Sequence, residues 1–177
     1  MFEALRKKTG LWFTKFHFRN RRDRPQDFTT ALSGAEYALV LLPEDPKSAE
    51  AAEELLSILG HRFHGPRLTV LLGEHIHSVP RTLRTPNFVR LYRDGVNKFF
   101  LPRRHVVEEI RRKEYDVAID LNLDLVLPYA YICKASDAKV RVGFVKDSSD
   151  VFYNFQINSR GDPCSPYQYL AECLKMF

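Results

Sequence analysis

Glycine, cysteine and long apolar runs are scarce in this chain of 177 residues, which has 8 glycines and 3 cysteines. No stretch approaches the roughly 20 apolar residues of a membrane-spanning helix, and the first residues lack the uninterrupted apolar core of a secretory signal. The cysteines are odd in number and form no Cys-x-x-Cys pair, so neither a disulfide framework nor a zinc ribbon is indicated. We therefore expect a cytoplasmic protein.

Several motifs of common α/β enzymes are also absent. The sequence contains no Gly-x-Gly-x-x-Gly, no Walker loop and no Gly-x-Ser-x-Gly elbow, which counts against a dinucleotide oxidoreductase, a P-loop nucleotidase and an α/β-hydrolase. Four histidines, His61, His64, His75 and His77, follow no metal-binding spacing such as His-Glu-x-x-His. We expect no cofactor and no metal site, and interpret these histidines as a solvated loop cluster.

The excess positive charge is confined to one end of the chain. The formal net charge is +5, and residues 1–24 hold eight bases and two acids, whereas the remaining residues hold 19 bases and 20 acids. The basic isoelectric point therefore describes a short segment rather than the whole protein. For this reason we do not expect a nucleic acid as the main partner.

Within that basic segment, apolar residues recur at helical spacing. Phe2, Leu5, Thr9, Trp12 and Phe16 are three or four residues apart, which predicts an amphipathic helix. Basic side chains fall largely elsewhere around this helix, so the candidate membrane-binding residues are Arg6, Lys7, Lys8, Trp12, Phe13, Lys15, Phe16 and Arg19.

Three interpretations of this basic amphipathic segment, residues 1–24, stay open. Its charge and aromatic side chains suit the anionic inner face of the cytoplasmic membrane, which is the interpretation we favour. The same aromatic face is also suited to covering a sheet, and the same residues to binding RNA. Gly10 weakens the predicted helix, because glycine is a poor helix former.

The rest of the chain alternates between strand-like and helix-like segments. Residues 25–35 read as a polar linker, and residues 36–177 as one domain. The apolar runs 37–42, 68–72 and 117–121 are continuous, which is typical of buried parallel strands. Strands separated by helices predict a single Rossmann-like, three-layer α/β domain with a mostly parallel sheet. Further strands are predicted over residues 88–92, 139–143 and 152–157, and helices over 45–60, 103–113, 128–133 and 167–176.

Two neighbouring segments carry a family resemblance. Residues 115–121 read Tyr-Asp-Val-Ala-Ile-Asp-Leu, and residues 136–144 read Ser-Asp-Ala-Lys-Val-Arg-Val-Gly-Phe. The pair resembles the N-terminal, acceptor-side half of the heptosyltransferase-type glycosyltransferases of family nine, which have a two-domain GT-B fold. The likeness covers most of residues 36–177. It implies that the nucleotide-sugar donor would be held mainly by a second domain, which would begin where this chain ends.

Candidate site residues lie where two predicted strands end, since open α/β sheets bind ligands beyond the carboxyl ends of their strands. The resemblance implies a catalytic base in the loop after the first strand, where Glu44 and Asp45 stand without the glycine of the family. It also places Asp120 beside an acceptor-binding cleft, and Asn122 points to the same side of the strand. The alternatives are that Asp45 caps a helix and that Asp120 caps a turn or pairs with a base.

These residues lead to two functional hypotheses. Because transfer requires donor and acceptor to be held together, we expect a noncatalytic binding or scaffold module related to heptosyltransferases. It would act at the cytosolic membrane face, in bacterial envelope-glycan or lipopolysaccharide assembly. The alternative is the acceptor-binding subunit of a split glycosyltransferase. In that case a partner protein supplies the donor domain for hexosyl or heptosyl transfer.

Overall fold

Six parallel strands form one sheet in a computed structural model that describes residues 2–21, 23, 25–76, 83, 86–158 and 166–175. The strand order β3-β2-β1-β4-β5-β6 reverses between β1 and β4, and the carboxyl ends of these two strands form the switch point where such sheets bind ligands. The predicted Rossmann-like α/β fold is confirmed. The strands are β1 Ala38–Leu41, β2 Leu68–Gly73, β3 Asn87–Leu91, β4 Val117–Asp120, β5 Val140–Phe144 and β6 Phe155–Ile157.

Helices cover both faces of the sheet. In chain order they are α1 Phe2–Phe18, α2 Phe28–Ser33, α3 Pro46–Ala51, α4 Glu53–Arg62, α5 Arg104–Arg111, α6 Leu127–Ala135 and α7 Pro166–Lys175. Helices α2, α4 and α7 share a core with one face, and α5 and α6 share a second core with the other. Helix α1 packs on α6, so α6 lies between the sheet and α1.

Successive side chains of the central strands enter opposite cores. In β1, Val40 packs in the first core and Leu39 and Leu41 pack in the second. Both sides of the strand are therefore apolar, which explains the continuous runs in the sequence. Val117 and Ile119 of β4 are buried as predicted, and β4 pairs with β1 in parallel.

Three segments differ from the predicted boundaries. The predicted polar linker 25–35 contains α2, because Asp27 accepts hydrogen bonds from the Thr29 backbone N–H and the Thr30 hydroxyl, and Leu32 enters the first core. The predicted helix 45–60 divides into α3 and α4 at the buried residue Ala52. The last strand is shorter than predicted, because a 3-10 turn precedes Phe152, which is buried against the other face.

Candidate functional site

The switch point between β1 and β4 is bridged by Asn122. Its side-chain amide donates to Asp120 Oδ1 at 2.8 Å and to the Leu42 carbonyl at 3.3 Å, and its Oδ1 accepts from the Glu44 N–H at 2.8 Å. The loops that follow β1 and β4 are therefore joined through one amide side chain. Asn122, a predicted ligand-binding residue, uses these hydrogen bonds within the protein.

The carboxylate of Asp120 is fully buried and likewise paired inside the fold. It accepts from the Asn122 N–H at 3.0 Å and from the hydroxyl of Tyr153. Burial raises the pKa of Tyr153, and the negative charge of Asp120 raises it further, so the phenol remains protonated and donates. In this arrangement Asp120 links β4 to the segment that precedes β6.

Lys146, which the sequence did not single out, holds the loop after β4. Its ammonium donates to the Asn122 carbonyl at 2.5 Å and to the Asp124 carbonyl at 3.2 Å. Burial lowers the pKa of Lys146, an effect that the nearby Asp120 carboxylate opposes. No local motif marks this lysine, because its partners lie more than 20 positions earlier in the chain.

The two acids predicted as catalytic candidates have different environments. Asp45 begins α3, where its carboxylate accepts from the Ser48 backbone N–H at 2.9 Å and the Ser48 hydroxyl at 2.8 Å. The hydrogen bond from the Ser48 backbone is the main reason that the pKa of Asp45 lies below its usual value. Glu44 is exposed and lines a cleft at the same edge of the sheet.

This cleft, hereafter the edge cleft, has a volume of about 390 Å³, within the size range of small-molecule sites. It lies beyond the ends of β2 and β3 and beside the first turn of α6. Asp120 and Asn122 do not line it. Its lining residues are Glu44, Gly73, Glu74, His75, Leu91, Tyr92, Arg93, Val96, Asn97, Lys98, Phe100, Pro128 and Tyr129.

Tyr129 lines the edge cleft and carries a buried, unpartnered hydroxyl next to Gly73. The residue is 1% exposed, and its hydroxyl has no hydrogen-bond partner among the described residues. A Cβ atom at Gly73 would lie 2.7 Å from this hydroxyl, so the missing side chain at the end of β2 leaves it room. Burial, and secondarily the negative charges of Glu44 and Asp120, raise the pKa of Tyr129.

The turn that forms one wall of the edge cleft is held by Asn97. Its side-chain oxygen accepts from the backbone N–H groups of Phe99 and Leu101, at 2.9 and 3.1 Å. Phe100 adopts a positive φ of 61° in this turn, which is uncommon outside glycine. These hydrogen bonds fix the backbone conformation of the turn that carries Lys98.

Helix α1 contacts the back of the same turn through Gly10. A Cβ atom at Gly10 would overlap the Phe99 carbonyl oxygen and lie 3.0 Å from Leu127 Cδ2, so only glycine allows this close approach. Thr14 is fully buried one turn further on, where its hydroxyl donates to the Gly10 carbonyl at 2.9 Å. Phe18 completes the contact against Tyr131, with ring centroids 5.0 Å apart.

The opposite side of α1 is an exposed apolar row, hereafter the aromatic row. Trp12 and Phe16 stack with ring centroids 5.9 Å apart, and the Arg19 guanidinium lies 4.1 Å from the centroid of the Phe16 ring. The predicted cations of the helix, from Arg6 to Arg19, are all exposed. The row consists of Phe2, Leu5, Trp12, Phe13 and Phe16, which are 76%, 62%, 61%, 45% and 52% exposed.

An ion-pair cluster fixes the chain beyond α1 to the domain. Asp23 lies 2.5 Å from Arg141 and 3.1 Å from Lys134, whose side chains are 5% and 7% exposed. Burial alone would raise the pKa of Asp23, but Arg141 and Lys134 outweigh that effect and hold the pKa below its usual value. Burial lowers the pKa of Lys134, and Arg141 lowers it further.

In the part of the chain that the structure describes, no group of three or more His, Cys, Asp or Glu side chains is arranged to hold a metal ion. His61, His64 and His75 belong to this part and are exposed, whereas His77 and Cys164 lie outside it. The three do not form the predicted loop cluster, because His61 lies in α4 and β2 separates His64 from His75. Among the same residues, no helix combines the length and apolar character needed to cross a membrane.

Comparisons of the chain with models of protein families, with curated proteins and with solved structures give no match. The resemblance to the heptosyltransferases thus depends on the two motifs in residues 115–121 and 136–144.

Proposed function

We propose that this protein is a noncatalytic Rossmann-like binding module that attaches to an anionic membrane surface through α1. The observation that carries the proposal is the orientation of that helix. Gly10 and Thr14 face the domain, whereas Trp12 and Phe16 face solvent. By resemblance to the acceptor-side half of the heptosyltransferases, the module would serve envelope-glycan assembly at the cytosolic face.

The charges beside the aromatic row favour an anionic lipid surface as its binding partner. On a helical projection, Lys8, Lys15 and Arg19 lie along one side of the row and Arg6 lies along the other. A helix in a bilayer interface has this arrangement, with apolar side chains inserted and cations at the headgroups. Each such cation contributes about 1 kcal/mol near an anionic surface, and burial of apolar area adds about 25 cal/mol per Å².

Cosedimentation with vesicles tests the proposal. The protein should bind vesicles that contain phosphatidylserine, bind neutral phosphatidylcholine vesicles poorly, and lose binding as salt increases, because salt screens the surface attraction. Replacing Trp12 and Phe16 with alanine should weaken binding even at low salt, since the apolar contribution is not screened. The matched control is Phe88→Ala, which removes an aromatic ring that is 50% exposed on β3.

Charge is tested separately from the aromatic row. Replacing Arg6, Lys8 and Lys15, which flank the aromatic row, with glutamine should reduce binding to anionic vesicles by at least tenfold. The triple control variant replaces the exposed cations Lys47, Arg67 and Arg112 with glutamine and should bind normally. Equal effects of the two variants would overturn the proposal. Tight RNA binding without vesicle binding would instead show that the basic amphipathic segment binds nucleic acid.

A second candidate function is the acceptor-binding subunit of a split glycosyltransferase. The edge cleft favours it, because the cleft lies at the carboxyl edge of the sheet and includes the exposed carboxylate of Glu44. We expect no turnover of nucleotide sugars by this chain alone. Pull-down from native cells should then recover a protein that resembles a donor domain, and the pair should transfer sugar. Turnover by the isolated chain that is lost in Glu44→Gln would contradict the noncatalytic assignment.

A further inference from the structure

We infer that the edge cleft is a binding site for a phosphoryl group, anchored by the Tyr129 hydroxyl and the first turn of α6. The inference is independent of membrane attachment through the aromatic row. Its starting point is the unpartnered hydroxyl of a tyrosine that is 1% exposed. A buried polar group without a partner is unfavourable, and a ligand that accepts its hydrogen bond removes that cost.

The first turn of α6 supplies a second set of donors. Helix α6 has 9 residues, and Val126 at its start provides no side-chain cap. The backbone N–H groups of Leu127 and Tyr129 precede the first residue able to bond within the helix, since Ala130 is the donor to the Val126 carbonyl. Helix N-termini carry a partial positive charge and favour anions.

Two cations of the edge cleft complete an anion-binding arrangement. Arg93 and Lys98 line the edge cleft, and neither forms an ion pair with a carboxylate of the described residues. The Lys98 ammonium instead lies 5.2 Å from the centroid of the Phe99 ring. A phosphoryl group offers several acceptor oxygens, so it can pair with a hydroxyl, backbone N–H groups and cations together.

Two carboxylates also line the edge cleft, and their effect on anion binding can be tested. Glu74 accepts from the Arg93 backbone N–H at 2.8 Å, so its charge is partly engaged. The Glu44 carboxylate has no partner among the described residues, and its charge acts on Tyr129. Glu44 should therefore weaken anion binding, and its neutral isostere should strengthen it.

Titration with inorganic phosphate and with glycerol phosphate, followed by calorimetry at constant ionic strength, tests the site directly. Both should bind saturably, with sulfate and chloride weaker. Tyr129→Phe should lose about tenfold in affinity, and Lys98→Gln a few-fold, whereas Glu44→Gln should gain a few-fold. The matched control is Tyr131→Phe, on the same helix but outside the edge cleft. Thermal unfolding establishes that each variant is folded.

Vesicles distinguish the two sources of a phosphoryl group. If the group belongs to a lipid, phosphatidate vesicles should bind the wild type more tightly than phosphatidylserine vesicles of equal charge, and Tyr129→Phe should abolish the difference. If the two vesicles bind equally while glycerol phosphate still binds, the natural ligand is a soluble phosphate ester. Both results support the phosphoryl site.

Three results would overturn the inference. The first is phosphate binding no stronger than that of sulfate, which would show an adventitious ion only. The second is unchanged affinity in Tyr129→Phe. The third is weaker binding in Glu44→Gln, since that would mean the carboxylate accepts a hydrogen bond from a neutral, hydroxyl-bearing ligand. Phosphatidylserine vesicles should bind Tyr129→Phe as tightly as the wild type, so failure of this site leaves membrane attachment testable on its own.

Discussion

The two faces of α1 present opposite kinds of side chain. Gly10, Thr14 and Phe18 form the buried face, whereas Trp12, Phe13 and Phe16 form the exposed one. A surface helix ordinarily places its large apolar side chains against the core. Here Gly10 allows close backbone approach, and of the aromatic row only Phe13 has a ring contact with the domain among the described residues, at 6.0 Å from Phe99. Side chains that folding does not use are available to a partner.

The first prediction addresses the attachment of the segment after α1. Asp23→Asn should reduce the free energy of unfolding by about 2 kcal/mol, because it leaves Arg141 and Lys134 without their counter-charge. Breaking a fully buried pair costs about 3–5 kcal/mol, and we reduce this figure because Asp23 is 39% exposed and water screens the interaction. Denaturant unfolding measures the difference.

Asp137→Asn is the matched control. Asp137 pairs with Arg21 and Arg111, but its side chain is 60% exposed, so loss of its charge should cost less than about 1 kcal/mol.

The contribution of Asp23 to stability should also depend on pH. The pKa of Asp23 is lowered in the folded state, so this contribution is present above the unfolded pKa of about 3.9 and is lost as pH falls through the lower folded value. The difference in the free energy of unfolding between wild type and Asp23→Asn should therefore disappear below about pH 4. A difference in the free energy of unfolding that persists in acid would contradict the ion-pair explanation.

The second prediction tests the close approach at Gly10. Gly10→Ala should destabilise the protein by about 1–2 kcal/mol, because the new methyl group overlaps the Phe99 carbonyl. In an isolated peptide of residues 2–20 the same change should increase helix content, since alanine exceeds glycine by about 1 kcal/mol in helix propensity. Circular dichroism of the peptide and denaturant unfolding of the protein measure the two effects.

Thr9→Ala, at the adjacent helical position, is the control and should change protein stability by less than about 0.5 kcal/mol. Stabilisation of the whole protein by Gly10→Ala would mean that α1 does not dock as described.

The third prediction has the smallest expected effect. Replacing Trp12 and Phe16 with alanine should change the free energy of unfolding by less than about 0.5 kcal/mol, because both are more than half exposed. Leu127→Ala, in α6 beneath Gly10, should by contrast cost about 2–5 kcal/mol. Thermal unfolding distinguishes the two. A large loss in the double variant would show that the aromatic row stabilises the domain itself.

The parallel sheet could be predicted because its strands are buried on both sides. Residues 117–121, for example, form a continuous apolar run with a single carboxylate, and such a run fits a central strand better than an exposed one. The helix at Asp45 and Pro46 was likewise predictable, since a capping carboxylate followed by proline starts a helix. Helix α2 was missed, although Asp27 is a capping residue, because the segment has only Leu32 as a buried apolar position.

The site was less predictable than the fold. Asp120 and Asn122 were correctly located at the end of β4, but their hydrogen-bond partners Tyr153 and Glu44 are remote in sequence. Tyr129 carried no signal either, since a tyrosine in a helix is ordinarily a core residue. Its interest arises only because Gly73, 56 positions earlier, leaves room for its hydroxyl, which has no hydrogen-bond partner among the described residues.

Periodicity and charge in the sequence determined that residues 2–18 form a helix with an aromatic side and basic flanks, because those properties depend on spacing along one element. Only the tertiary structure decided which side of that helix meets the domain. That choice depends on how closely two backbones can approach, and therefore on Gly10 facing Phe99 and Leu127. The same reason holds for the edge cleft, whose residues come from separate strands, a turn and a helix that only folding brings together.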